Sequence, residues 1–350
     1  MSRPLPPPAV RRLLSVPVAL ATLPLLVATL PIWILTGALT SLFLPGKWRG
    51  LRLLWFGIVW FACEWAALGA LGWMWLRSGF GRHLAEPRWQ EAHYRLLGWV
   101  LDRVYKTARW TFRLRVVGSG DGQPLRRDRP QLVLCRHAGP GDSVLLVREL
   151  VTLAQLRPRI VLKDALQLDP TVDVLLNRLP NRFVTPNPDV ADRVEEAIAM
   201  LAAGAGPGDA VVIFPEGGNF SERRRSRAIE RLRRRGHADE AEKAEQMHNL
   251  MAPRPGGTLA AMAAAPDADV LLVAHEGLED MSSVADLWRG LPMDDVVEVA
   301  WWRVLSDELP RDKPVDDQVD WLFDWWGRLD AWIAEQRPAA TWAMPPRRSR

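Results

Sequence analysis

The segment Gln131-Leu-Val-Leu-Cys-Arg-His-Ala-Gly-Pro-Gly-Asp-Ser143 holds a histidine, His137, and an aspartate, Asp142, five positions apart across a Gly-Pro-Gly turn. An imidazole takes up a proton on one ring nitrogen when the other is held as a donor, and a nearby carboxylate holds it so. Such a pair can remove the proton from a hydroxyl as that oxygen attacks a carbonyl. A plainer arrangement fits the same spacing: His137 ends a strand and Asp142 caps a helix. The motif taken alone favours the plainer one. A second segment, Ala210-Val-Val-Ile-Phe-Pro-Glu-Gly-Gly218, repeats the pattern, with an apolar run that stops at the carboxylate of Glu216. Its glycines let the backbone approach a ligand closely and leave N–H groups free to face a phosphate or carboxylate. In isolation this is as readily an ordinary turn.

Together, His137-Ala-Gly-Pro-Gly-Asp142 and Phe214-Pro-Glu-Gly217 resemble the H-x4-D and F-P-E-G blocks of the glycerophospholipid acyltransferase family, typified by 1-acyl-glycerol-3-phosphate acyltransferase. Val161-Leu-Lys-Asp-Ala-Leu166 and Leu271-Leu-Val-Ala-His275 are looser matches to its lysine-bearing segment and its late strand, and the resemblance spans residues 105–310. It implies that His137 is the general base on an acceptor hydroxyl and that Asp142 orients it. It further implies that Glu216 and Gly217 help bind the acceptor, with Lys163 among the substrate-binding residues. Acyl-CoA or acyl carrier protein would be the co-substrate. A thioester already has a good leaving group, so the expectation is that neither a metal nor a redox cofactor takes part. Two departures concern the acceptor's phosphate. The family's Gly-x-x-Phe-Ile-x-Arg block ends in a phosphate-holding arginine, whereas Pro180-Asn-Arg-Phe-Val-Thr-Pro186 ends in proline here. F-P-E-G is commonly followed by Thr-Arg-Ser, but this chain has Gly218-Asn219-Phe220, with arginines resuming at Arg223. Arg178 and Arg182 are the candidates to replace the missing cation, although an isolated arginine is more often a solvated surface residue.

The elements that must position these residues alternate between strand and helix patterns. Strand-like runs fall at residues 131–135, 159–162, 210–214 and 270–274, and helical stretches at 142–153, 189–202 and 257–265. Continuous apolar strands interleaved with helices predict an α/β fold with a largely parallel sheet flanked by helices, as the family resemblance also implies. Ligands in such sheets gather outside the strand ends, where His137 and Glu216 would both lie.

An N-terminal membrane anchor is expected ahead of this domain. Residues 13–46 carry no charge and residues 53–76 carry only Glu64. About 20 apolar residues suffice to span a bilayer. The first segment is too long for one upright helix, and Pro24 and Pro31 offer places to bend, so it forms either one tilted helix or a re-entrant hairpin. Basic residues flank every segment: Arg3, Arg11 and Arg12, then Lys47, Arg49 and Arg52, then Arg77 and Arg82. A hairpin followed by an interfacial helix would keep all these clusters on the cytoplasmic face. Glu64 and the tryptophans 55, 60, 65, 73 and 75 suit the interfacial role, because charge is costly at the bilayer centre and Trp favours the interface. Arg11-Arg12 before an apolar stretch also imitates a secretory signal, but the stretch far exceeds the usual 7 to 15 residues.

The expected organisation is an anchor over residues 1–95, an acyltransferase domain over 96–310 with a basic helical insertion at 221–254, and an amphipathic helix with a disordered tail over 311–350. The insertion opens with eight arginines against two glutamates in residues 221–235. It lacks the interleaved aromatics of a nucleic-acid surface, so no nucleic acid is expected as a partner. Contact with anionic headgroups or substrate phosphate is the reading preferred to a merely solvated helix. In residues 319–333, Trp321, Leu322, Trp325, Leu329 and Trp332 recur at helical spacing, which predicts a helix packed on the catalytic domain. Cys63 and Cys135 are far apart and without metal-ligand spacing, so no disulfide framework or zinc site is implied. The reading is of a membrane-bound acyltransferase with 1-acyl-glycerol-3-phosphate as the leading acceptor and membrane phospholipids as partners. The alternatives are acyl transfer to another lyso-lipid or glycolipid, or a non-catalytic lipid-binding protein.

Overall fold

The computed structural model describes residues 5–43, 48–120, 126–185, 191–278, 288, 291 and 296–337. Pro186 and the proline- and arginine-rich tail beyond Arg337, expected to be disordered, lie outside the described residues. So does the start of the helix expected from residue 189.

Seven strands form one sheet: β1 (Arg115–Gly120), β2 (Gln131–Cys135), β3 (Arg157–Lys163), β4 (Arg182–Val184), β5 (Asp209–Ile213), β6 (Asp269–Glu276) and β7 (Val296–Val304). Their order across the sheet is β1-β7-β6-β2-β5-β3-β4. Neighbours pair in parallel except β6 and β7, which are antiparallel. The sheet is therefore largely parallel, as expected. The four strands legible in the sequence are β2, β3, β5 and β6. The three that were not are short or mixed: β4 has three residues, β1 is mostly exposed, and β7 alternates polar and apolar positions on the antiparallel side.

Helices cover both faces. Alternate residues of the central strands divide between them, so that Leu132, Leu134, Val211, Ile213, Val270 and Leu272 face one way and Val133, Cys135, Val212, Leu271 and Val273 the other. The first set packs under α7 (Ala191–Ala203), α9 (Ala238–Gln246), α10 (Pro255–Ala264) and α11 (Val315–Gln336). The second packs under α5 (Pro140–Arg148) and the π-helical turn Glu149–Leu153 that extends it. The predicted C-terminal helix exists and docks on the domain, but its buried stripe is Leu322, Phe323, Trp326, Leu329 and Ile333. Trp321, Trp325 and Trp332 are only partly buried, and Asp330 is turned inward with 6 % of its surface exposed.

The first apolar segment breaks at Thr29 into α1 (Pro8–Ala28) and α2 (Leu30–Phe43), between the two prolines expected to bend it. α3 (Arg49–Arg77) follows, and α4 (Pro87–Phe112) leads without a break through residue 95 into the sheet. α1 and α3 are long and apolar enough to cross a membrane. Glu64 corrects one expectation: it faces the protein, buried, and accepts a 3.1 Å hydrogen bond from the Thr171 N–H at the start of α6 (Pro170–Asn177). Arg11 and Arg12, expected only as flanking charges, both pair with Asp173 of α6, at 2.5 and 2.7 Å.

Candidate active site

The strand register alone predicts which residues meet at the sheet mouth. Leu134 of β2 lies beside Ile213 of β5, and Cys135 lies beside Val273 of β6. Carried two or three residues past the strand ends, this register sets His137, Glu216 and His275 at one level. The backbone N–H of His137 donates to Glu216 Oε1 at 2.8 Å, and the Phe220 N–H donates to the His137 carbonyl at 2.9 Å. The imidazole lies against the Phe214 ring, with centroids 4.5 Å apart.

Asp142 reaches this imidazole from the first turn of α5. Its carboxylate lies 3.1 and 3.2 Å from His137 Nδ1. The same carboxylate accepts from the N–H groups of Ala138 (2.6 Å) and Gly139 (2.9 Å) and from the Ser143 hydroxyl (3.0 Å). Helix cap and histidine partner, set out above as rival readings, are thus one carboxylate doing both. His275, buried on β6, brings Nε2 to 3.6 Å from Asp142 Oδ2. Burial works to raise the Asp142 pKa, but its hydrogen bonds and electrostatic attraction to His137 and His275 outweigh that and hold the carboxyl far below its ordinary range. An ionised Asp142 keeps the proton of His137 on Nδ1. That leaves Nε2 as the acceptor, with no hydrogen-bond partner among the described residues, on a side chain 16 % exposed.

Glu216 is only 3 % exposed, and its second oxygen accepts from the Met251 N–H at 3.0 Å. Burial pushes its pKa up to about 7 against the lowering effect of its two backbone donors. Gly217 follows at φ +68°, a left-handed conformation that favours glycine, and a β-carbon there would lie 2.9 Å from the Arg254 guanidinium. Arg254 is exposed, and no carboxylate among the described residues pairs with it. Arg136, next to His137, is fully buried and bonded to the carbonyl of Asn249 (3.3 Å), the His275 carbonyl and Glu276.

The remaining predicted site residues are not gathered here. Arg178 donates to the Leu71 carbonyl at 2.9 Å and lies 3.3 Å from His93 Nε2, tying the end of α6 to α3 and α4. Burial, then the charge of Arg12, lowers its pKa to about 10. Arg182 sits exposed on the edge strand with its guanidinium 3.9 Å from Met200 Sδ. It is three strands from β2, roughly 14 Å at the usual strand spacing. Lys163 is exposed at the mouth end of β3, roughly 10 Å across the sheet from β2. Among the described residues, no group of three or more His, Cys, Asp or Glu is placed to hold a metal ion. His275 and Arg254 were not singled out from sequence. His275 had a signal, as the polar end of an otherwise apolar strand, but Arg254 had none.

Residues 117–272 match the family described as Acyltransferase. Residues 117–272 therefore carry an acyltransferase-family domain. The fold of this acyltransferase is similar to that of the crystal structure of the 1-acyl-sn-glycerophosphate (LPA) acyltransferase PlsC from Thermotoga maritima, with a TM-score of 0.53 and 15 % identity. That similarity covers 83 % of this chain and 99 % of the other. No curated protein matches the acyltransferase in sequence. The matched family region contains His137, Asp142, Glu216, Arg254 and β2 to β5, and ends within β6. β7 and α11 lie beyond it.

Proposed function

We propose that this acyltransferase moves a fatty acyl group from an acyl thioester, acyl-CoA or acyl carrier protein, onto the free hydroxyl of a lysophospholipid. The leading case converts 1-acyl-glycerol-3-phosphate to phosphatidic acid. One observation carries the reading: an imidazole whose Nδ1 is held by an ionised carboxylate and whose Nε2 is accessible at the mouth of the sheet. His137 Nε2 takes the acceptor's hydroxyl proton as the oxygen adds to the thioester carbonyl. The tetrahedral intermediate collapses by breaking the C–S bond, and the thiolate leaves with the proton from the imidazolium. Asp142 holds the tautomer throughout, and Glu216 fixes the His137 main chain.

Arg254 is the cation best placed to meet an acceptor phosphate, because it lies over Gly217 without a carboxylate partner, whereas Arg178 is engaged within the protein. Attachment to the membrane through α1 to α3, with the catalytic domain on the cytoplasmic face, would bring the mouth to lipid acceptors. A second acceptor class, a lyso-lipid or glycolipid without a phosphate monoester, is favoured by the departures after Glu216 and by the engagement of Arg178. The deciding experiment gives purified protein a panel of lyso-acceptors with acyl-CoA or acyl carrier protein donors, and identifies products by mass spectrometry. Phosphatidic acid formed by the wild type and not by His137→Ala supports the reading. Preference for an acceptor without phosphate selects the second class, and no acyl product from any pair leaves a lipid-binding protein.

A further inference from the structure

The residues between α9 and α10 form a short span of backbone, and four successive N–H groups in it are held by two buried carboxylates. Asp330 of α11 accepts from His248 N–H (3.1 Å), Asn249 N–H (2.6 Å) and Leu250 N–H (3.0 Å). It accepts also from the Asn249 side-chain amide at 3.4 Å, while the Asp330 carbonyl takes that amide at 3.3 Å. The next N–H, of Met251, goes to Glu216, whose other oxygen holds the His137 N–H. The Asn249 carbonyl accepts from Arg136, the residue before His137. No lysine, arginine or histidine among the described residues forms an ion pair with Asp330, so its buried charge is met by N–H groups alone. A carboxylate in that setting is costly to bury unless its oxygens are hydrogen-bonded, and here the 248–250 backbone supplies those bonds.

We propose that Asp330 is a positioning residue for His137, acting through the 248–251 backbone and Glu216, and that α11, which lies outside the matched family region, is a structural part of the active site. This rests on the reading of His137 as the general base. A carboxylate offers about four acceptor positions, whereas an amide offers about two and presents donors to the remaining N–H groups. Asp330→Asn should therefore release part of the 248–250 backbone, loosen Met251 from Glu216 and misplace the imidazole without removing it.

The test compares the full-length wild type with Asp330→Asn, Asp330→Glu and Asp324→Asn, the last on the exposed face of α11 where Asp324 pairs with Lys243. Hydrogen exchange measured by mass spectrometry over residues 131–140 reads the positioning directly, whatever the reaction. Exchange there should accelerate at least tenfold in Asp330→Asn, less in Asp330→Glu, and not at all in Asp324→Asn. With an acyl product established, kcat should fall about 10- to 100-fold in Asp330→Asn with the acyl-donor KM within twofold, and Asp330→Glu should recover part of it. Wild-type exchange over 131–140 in Asp330→Asn overturns the proposal. If that variant does not fold, an Asp330→Glu protein with wild-type exchange and wild-type kcat overturns it instead. Faster exchange in a protein whose turnover survives His137→Ala would uphold the relay as structure and overturn the general-base reading on which its catalytic meaning depends.

Discussion

Removing the His137 imidazole takes away the proton acceptor but none of the backbone bonds around it, because Glu216 and Phe220 engage His137 through its main chain. His137→Ala is therefore expected to lose about 10²- to 10⁴-fold in kcat with little change in melting temperature. Asp142→Asn should lose activity through the tautomer and stability through the cap. One amide oxygen cannot replace both carboxylate oxygens, and loss of an N-terminal cap costs about 0.5–2 kcal/mol. Equal melting temperatures for the two variants would contradict the double role of Asp142. Glu216 makes a pH prediction. Its folded pKa is raised from an ordinary 4.5 to about 7, so the folded state holds a proton that the unfolded state gives up. Its contribution to stability is full below pH 4.5 and is lost as pH rises through about 7, a change of about 3 kcal/mol at 1.36 kcal/mol per pKa unit. Thermal unfolding at pH 5 and pH 8 should show a smaller pH-dependent drop for Glu216→Gln than for the wild type. Arg254→Ala should raise the KM for a phosphate-bearing acceptor and leave the acyl-donor KM unchanged, since a guanidinium–phosphate contact is charge-assisted.

At the scale of elements, the apolar N-terminal helices are joined to the catalytic domain by charge as well as by packing. Asp173 is fully buried and receives Arg11 and Arg12, while Glu64 of α3 meets the N-terminal end of α6 two residues earlier in sequence. The Trp65 indole N–H, donating to the Ala19 carbonyl at 3.3 Å, fixes the crossing of α1 over α3. Removing one member of a buried ion pair leaves the other charge uncompensated, at a cost of about 3–5 kcal/mol. Asp173→Ala should accordingly lower the melting temperature and speed protease cleavage within residues 13–46. An unchanged cleavage pattern would mean that packing alone docks α1. The basic helix α8 (Glu222–Arg234) is likewise partly committed, with Arg225 bonded to the carbonyls of Glu245 and Met247 and Arg233 to the Glu245 side chain.

For the whole molecule, the sheet sets the site and the N-terminal helices set the expected place of work. α1 and α2 leave Leu13, Leu14, Leu25, Leu35, Leu42 and Phe43 largely exposed, a quantity of apolar surface that a bilayer would cover. α3 is different, because Leu71 and Met74 pack in one cluster with Tyr94, Leu97, Val174 and Leu175. Deleting residues 1–43 should therefore leave a folded protein, with its melting temperature lowered by the loss of both arginine partners of Asp173, and its share in carbonate-washed membranes should fall sharply. Deleting residues 1–95 would also strip that cluster and should aggregate. Firm retention of the shorter deletion in washed membranes would place the anchor in α3 alone.

Local pattern determined much of this protein. Apolar runs ending at His137 and Glu216 marked β2 and β5, and parallel pairing of buried strands placed their ends together. The His-Asp pair was legible because both residues lie on one strand-turn-helix unit, where five residues of chain fix their distance. Tertiary structure alone decided what depends on distant segments. His275 meets Asp142 only because β6 pairs with β2, and Arg254 covers Gly217 only because α10 begins beside the Glu216 turn. Arg178 had the charge expected of a phosphate ligand, but the packing of α6 against α3 and α4 turned it to the Leu71 carbonyl. Asp330 shows the same limit: helical spacing marks which residues share a face, but only the docking of α11 determines which face is turned to the core. Side-chain type sets what a group can do, and long-range contacts set what it meets.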